Sequence, residues 1–282
     1  MSKRVLVYAL SGLIIFMMSP FFVSAQKLPS AATEVMADTL AGRQDYNGAI
    51  ELYNKILKQS RSKDEAYYSV LYKRAYCYFG MEQLDQALTD INEIISYERS
   101  PQAILLRLSI YEQQKNYDAQ LKDLSDIIAD NPDPYMLRWR TSVFFQLQRY
   151  NEAQRDIRAI LSTGDDPEMR LYLGITHYYL GKIDSALVEF DNVIAADPAT
   201  IDTYETAASM LIEEARYEPA LKYINLGLGQ EPGNATLLFY KGAALIETKQ
   251  IDKACSCLRK AFNAGMDDAA DYLKEYCFGS IE

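Results

Sequence analysis

Four cysteines and one histidine are the side chains of this 282-residue chain best suited to act as nucleophiles, metal ligands or proton carriers. Cys77 stands alone, whereas Cys255, Cys257 and Cys277 gather near the C-terminus. Neighbouring thiols can form a disulfide, hold a soft metal or attack an electrophile. A zinc site lacks a fourth ligand here, and two cysteines spaced two apart on a helix point to different faces. His177 has no second histidine to complete a His-Glu-x-x-His site, and the chain contains neither a Gly-x-Ser-x-Gly elbow nor a phosphate-binding glycine loop. The paired acids Glu213-Glu214, Asp165-Asp166 and Asp267-Asp268 are chain neighbours, and they read as solvated surface rather than as a converging acid–base pair. The expectation is a non-enzymatic protein with no cofactor and no metal. The abundant residues are aromatic: 22 Tyr, 10 Phe and 1 Trp, Trp139.

The elements that position these side chains follow from an internal repeat. A short phrase recurs, an aromatic or aliphatic residue, two polar or small residues, then usually Ala. It begins at Tyr46, Leu84, Tyr117, Tyr150, Ile183, Tyr217 and Ile251, at separations of 38, 33, 33, 33, 34 and 34 residues. Such a period marks a repeat architecture. Apolar residues four and seven places after the Ala position, such as Tyr53 and Ile56 or Phe190 and Val193, predict a second helix with one buried face. Twelve places before it stand Ala37, Ala75, Thr141, Gly174, Ala208 and Gly242, small enough for a first helix to approach closely. His177 occupies a first-helix position that is Leu40, Tyr78, Tyr111, Phe144, Leu211 or Leu245 elsewhere, which predicts a packed core histidine.

Two departures stand out. The third repeat has Leu108 and Gln120 where its siblings are small, which predicts wider helix spacing. The 38-residue first interval contains the polar stretch 59–65, which predicts a longer loop or an overextended second helix. Beyond the seventh unit, 267–278 reads as an amphipathic capping helix with Ala270, Leu273 and Cys277 on one face. A Cys255–Cys277 bridge would pin that cap; the alternative is four buried or part-buried thiols acting as small hydrophobes.

The period, the helix–turn–helix unit and the repeat-end prolines of Asp197-Pro198 and Glu231-Pro232 resemble the tetratricopeptide repeat. The resemblance spans 26–266, with repeats near 30–63, 68–100, 101–133, 134–166, 167–200, 201–234 and 235–266, followed by a cap over 267–282. It implies an all-α, right-handed superhelical solenoid of about seven repeats whose first helices line a concave side. The positions that would face a partner there include Tyr72, Tyr76, Phe79, Tyr135, Arg138, Phe145, Tyr178, Tyr179 and Phe239, with Leu105, Leu171, Ile175, Ile212 and Ile246 among the apolar lining. The family's asparagine clamp for a terminal carboxylate is missing, since its position holds Tyr76, Ser109, Ser142, Ile175, Ser209 or Ala243.

The N-terminus predicts export. Lys3 and Arg4 precede an apolar run from Val5 to Met18, and Val23-Ser24-Ala25 supplies small residues for cleavage, the pattern of a signal peptide over 1–25. An uncleaved anchor is the alternative. Cleavage removes two of 29 basic residues and none of the 39 acids, leaving a net charge of −12. Such a surface disfavours nucleic acid and anionic lipid as partners. The reading is an exported scaffold, periplasmic or else secreted or held at an outer membrane, that binds an extended peptide or helix of another protein in envelope assembly or secretion. A small-molecule or glycan binder and a self-associating spacer are the alternatives.

Overall fold

The computed structural model describes residues 30–277. The segment 1–25, expected to be a signal peptide, and the last residues of the expected cap, 278–282, lie outside the described residues. Among the described residues every regular element is a helix. The first helices of successive pairs are α1 (Ser30–Gly42), α3 (Glu65–Gly80), α5 (Pro101–Gln113), α7 (Pro134–Gln146), α9 (Pro167–Tyr179), α11 (Ile201–Glu213) and α13 (Ala235–Glu247). Their partners are α2 (Tyr46–Gln59), α4 (Leu84–Tyr97), α6 (Tyr117–Asp130), α8 (Tyr150–Leu161), α10 (Ile183–Ala196), α12 (Tyr217–Gln230) and α14 (Ile251–Asn263), and α15 (Ala269–Tyr276) follows. Each phrase residue opens a second helix. Pro101, Pro134 and Pro167 open first helices, where the missing N–H costs nothing. The chain divides into two compact units after Leu106, inside α5. Within the first, α2 packs against α3; within the second, each second helix from α6 to α12 packs against the next first helix.

Every pair closes through the same turn. The third residue of the interval, Asp45, Gln83, Asn116, Arg149, Lys182, Arg216 or Gln250, donates its N–H to a first-helix carbonyl five residues back, at 2.8–2.9 Å. The residue before it lies in the left-handed region: Gln44, Glu82, Lys115, Gln148, Gly181, Ala215 and Lys249, with φ between 53° and 71°. This is the Schellman ending, which satisfies orphan carbonyls at a helix C-terminus. Only Gly181 adopts it without steric cost.

Close approach follows from the small residues. Ala37, Ala75, Thr141 and Ala208 are buried. A Cβ at Gly174 would sit 2.5 Å from Phe190 Cε1, and one at Gly242 would sit 2.5 Å from Leu258 Cγ. In the third repeat, buried Gln120 turns its Nε2 toward the Leu108 carbonyl at 3.5 Å while its Oε1 has no partner. The long first interval is absorbed by a five-residue loop, 60–64, and by α3 itself, which has 16 residues against 13 in the other first helices. α2 is not overextended: at 14 residues it matches α4 and α6.

A buried ion pair, which the apolar pattern does not reveal, recurs within each of three successive helix pairs. Arg74, Arg107 and Arg140 stand 33 apart on α3, α5 and α7. Each donates from Nε and Nη2 to both carboxylate oxygens of the aspartate sixteen residues on, Asp90, Asp123 and Asp156, at 2.7–2.8 Å. Each guanidinium also lies near the ring one turn later, Tyr78, Tyr111 or Phe144, at 5.7, 6.0 and 5.8 Å. Arg74 reaches back to Asn54 and Arg140 to Ser125, so one side chain ties three helices. Burial pushes the Asp90 carboxyl upward, and the guanidinium opposes that shift.

At the C-terminus the Cys255 and Cys277 sulfurs are bonded, and Ala269 and Leu273 are buried against α14. Ala270, expected on the buried face, is exposed, because α15 presents the 269–273–277 stripe instead. His177 is buried, with Nδ1 3.4 Å from Gln154 Nε2, and burial lowers its pKa.

Two outcomes test this packing. Ala215→Gly relieves a left-handed penalty of about 1–2 kcal/mol and returns about 0.5–1 kcal/mol as unfolded-chain entropy, so the urea midpoint should rise modestly, whereas Gly181→Ala should lower it. Arg140→Met strands a buried carboxylate and should cost about 3–5 kcal/mol; the double variant Arg140→Met/Asp156→Leu should recover most of that loss.

Candidate functional site

Three surface hollows are lined by aromatic rings, most of them on first helices. The first, of ≈ 390 Å³, lies in the first unit between α3, the end of α4 and the start of α5. Tyr68, Tyr72 and Tyr97 form its walls, with Tyr68 stacked on Tyr97 at 4.1 Å between centroids. Glu65, Glu98 and Lys73 complete it, and the Lys73 ammonium is already held by Glu34 and Asp38 at 2.8 and 2.7 Å.

The second hollow, of ≈ 440 Å³ in the second unit, joins Ser109 and Glu112 of α5 to Tyr135, Arg138 and Trp139 of α7. Tyr135 is 64% exposed and meets Trp139 edge-on at 6.2 Å. Arg138 turns toward the start of α9, where it pairs with Asp166 and with Glu168. Its charge is therefore engaged within the chain.

The third, of ≈ 290 Å³, is lined by Tyr178 and Tyr179 of α9, Glu205, Met210 and Glu213 of α11, and Tyr240 of α13. Tyr178 donates its hydroxyl to Glu213 at 2.8 Å, and burial together with that carboxylate pushes the phenol far up. Tyr179 is 53% exposed and stacks flat on Tyr150 at 4.5 Å. Behind this stack Phe145 stands edge-on to Tyr150 and Tyr172.

The expected partner-facing residues thus fall into three situations. Tyr72, Tyr135, Arg138, Tyr178 and Tyr179 line hollows, and Tyr76 is open to solvent. Phe79 and Phe145 are half-buried. Phe239 is directed elsewhere: it packs edge-on against Tyr272 of α15, 5.2 Å away, so the cap covers it. Ile246 is buried, and Leu171, Ile175 and Ile212 pack on the core between α9 and α13, so these four are structural. Tyr68, Tyr97, Trp139, Tyr150 and Tyr240 were not expected at the site. Tyr97 and Tyr150 belong to second helices, outside the first-helix positions that the resemblance implied.

The thiols fit a structural role. Burial and the charge of Asp38 push Cys77 up to about 11, which keeps it protonated at neutral pH. Burial also raises Cys257. Among the described residues no group of three or more His, Cys, Asp or Glu is placed to hold a metal ion, and no helix is long and apolar enough to cross a membrane.

Comparison with known proteins bears on the fold. Residues 69–98, most of α3 and all of α4, match the family model described as tetratricopeptide repeat. No curated protein sequence matches the chain. Among solved structures, a tetratricopeptide repeat protein from Parabacteroides merdae is 19% identical, with 88% of this chain and 96% of that one covered and a TM-score of 0.58. The C-terminal part of a repeat-containing protein from Cytophaga hutchinsonii is also 19% identical, over 85% of this chain and 98% of that one, with a TM-score of 0.65. YrrB, described as a tetratricopeptide repeat protein with an unusual peptide-binding site, is 16% identical over 66% of this chain and 97% of its own, at a TM-score of 0.50. The chain has the helical-repeat fold of tetratricopeptide repeat proteins, and its second repeat carries that family's sequence pattern.

Proposed function

We propose that this chain is a non-enzymatic scaffold that binds an extended peptide or helix of a client protein along the faces of its first helices. The observation that carries the reading is the exposure of large rings where a monomeric repeat gains nothing from exposing them: Tyr76, Tyr135 and Tyr179 are each more than half exposed. Grouped exposed rings mark interaction surfaces, and Tyr is a favoured anchor. Tetratricopeptide repeats generally act as protein-binding scaffolds, and the peptide site named for YrrB is consistent with the same use. Open hollows spread over several helices suit a continuous segment better than a compact sugar. The proposed compartment is the periplasm or another exported location, reached after cleavage behind Ala25, with a client in envelope assembly or secretion. The disulfide at the cap supports an oxidising environment.

Two measurements test these readings. Proteins retained from an envelope extract by the native chain should be lost by a folded Tyr135→Ala/Tyr178→Ala/Tyr179→Ala variant, each anchor contributing about 2 kcal/mol to the affinity for the captured client; equal retention would move the interface off these faces. Protein recovered from the native host, denatured without reduction, should expose two thiols, Cys77 and Cys257, and four after reduction; four at the outset would remove the oxidising compartment.

A further inference from the structure

The three hollows share one electrostatic arrangement. Each combines rings with carboxylates, and whatever cation lines it is already committed within the chain. In the first, Lys73 is held by Glu34 and Asp38, which leaves the exposed Glu65 and Glu98 uncompensated beside Tyr68, Tyr72 and Tyr97. In the second, Arg138 is held by Asp166 and Glu168, which leaves Glu112 beside Tyr135 and Trp139. The third has no lining cation. There Glu213 takes only the neutral Tyr178 hydroxyl and Glu205 the Asn234 amide, at 2.8 and 2.9 Å, so both negative charges stand beside three tyrosine rings.

Resting on the peptide-scaffold reading, we infer that the client segment is basic, and that its Lys or Arg side chains enter these hollows. A ring face attracts a cation through its quadrupole, and a nearby carboxylate attracts the same group by Coulomb interaction. An arginine gains twice, since its planar guanidinium stacks on a tyrosine while its edge donates to a carboxylate. Acidic clients meet repulsion at every hollow. A purely apolar client would desolvate Glu98 or Glu112 with nothing to pair it. The acidic surplus of the whole chain, 39 acids against 29 bases, adds long-range attraction of the same sign.

The test is a random 16-residue peptide library panned on the purified chain at low salt. Enriched sequences should be rich in Lys and Arg. Replacing their arginines by citrulline, which keeps the shape and removes the charge, should weaken binding by about tenfold or more per hollow engaged. Glu65→Gln/Glu98→Gln should weaken the same peptides on a chain that remains fully helical, and raising the salt should do so as well. Enrichment of neutral or acidic peptides, or citrulline variants that bind unchanged, would overturn the basic-client inference and leave the scaffold reading intact. No enrichment of any peptide would count against both.

Discussion

One residue per helix pair, held at positive φ, sets the geometry from which the other features follow. In each of the seven intervals the chain reverses in three residues, and a 2.8–2.9 Å bond back to the first helix fixes the exit direction. A turn of constant length keeps a constant register between the two helices. The residue twelve before the phrase-end position therefore arrives opposite the partner helix, and in every pair but the third, which has Leu108 there, it is small: at Gly174 and Gly242 even one added carbon would collide. Six of the seven turns place a side-chain-bearing residue in the left-handed region, so the chain carries local strain in order to keep the register. That register decides which first-helix positions point away from the second helix, and hence where Tyr135 and Tyr179 emerge.

The same register allows two solutions at one place in the core. In the second, third and fourth pairs the positions ten before and six after the phrase start hold Arg and Asp. In the sixth pair they hold Ala207 and Tyr223, both buried and apolar apart from the phenol. An ion pair and an apolar pair can substitute there because a bidentate pair must first offset its own desolvation, so its net contribution is small although breaking it is costly. The stacked rings at Tyr78, Tyr111 and Phe144 help to offset that penalty. In the fifth pair the positions are Leu173 and Glu189, and Arg170 reaches the glutamate from a different place on α9. The charge pattern changes along the chain while the backbone period does not.

What could be read from the sequence was whatever depends on period alone. Seven phrase residues each open a helix, the buried small positions fall as their spacing requires, and His177 sits where its siblings are large and apolar. What escaped depends on contacts between residues that no single period links. Arg138 reads as a partner anchor because it stands at a first-helix position, yet Asp166 and Glu168 at the start of the next first helix capture it. Phe239 reads as open, and α15 covers it. The extra residues of the first interval lengthen α3, because Asp64 caps it by accepting the Tyr67 N–H, whereas α2 ends at Gln59 as its siblings do. The recurring Arg–Asp pair was present in the text as three arginines 33 apart with aspartates sixteen later, but it escapes a search for apolar spacing.

Exposed tyrosines beside exposed acids address a solubility problem and, on the proposed reading, a selectivity problem together. Rings such as Tyr97, Tyr135 and Tyr179 would promote non-specific association if they stood in an uncharged surround. Carboxylates beside them keep the face hydrated and penalise any apolar partner that would have to strip that hydration without pairing the charge. Specificity then comes from the penalty as much as from the attraction. For the penalty to act, the nearby cations have to be unavailable, and the structure meets that condition by holding Lys73 and Arg138 in ion pairs within the chain. Freeing either cation would compensate the carboxylates locally and weaken the discrimination, even though no ring had moved.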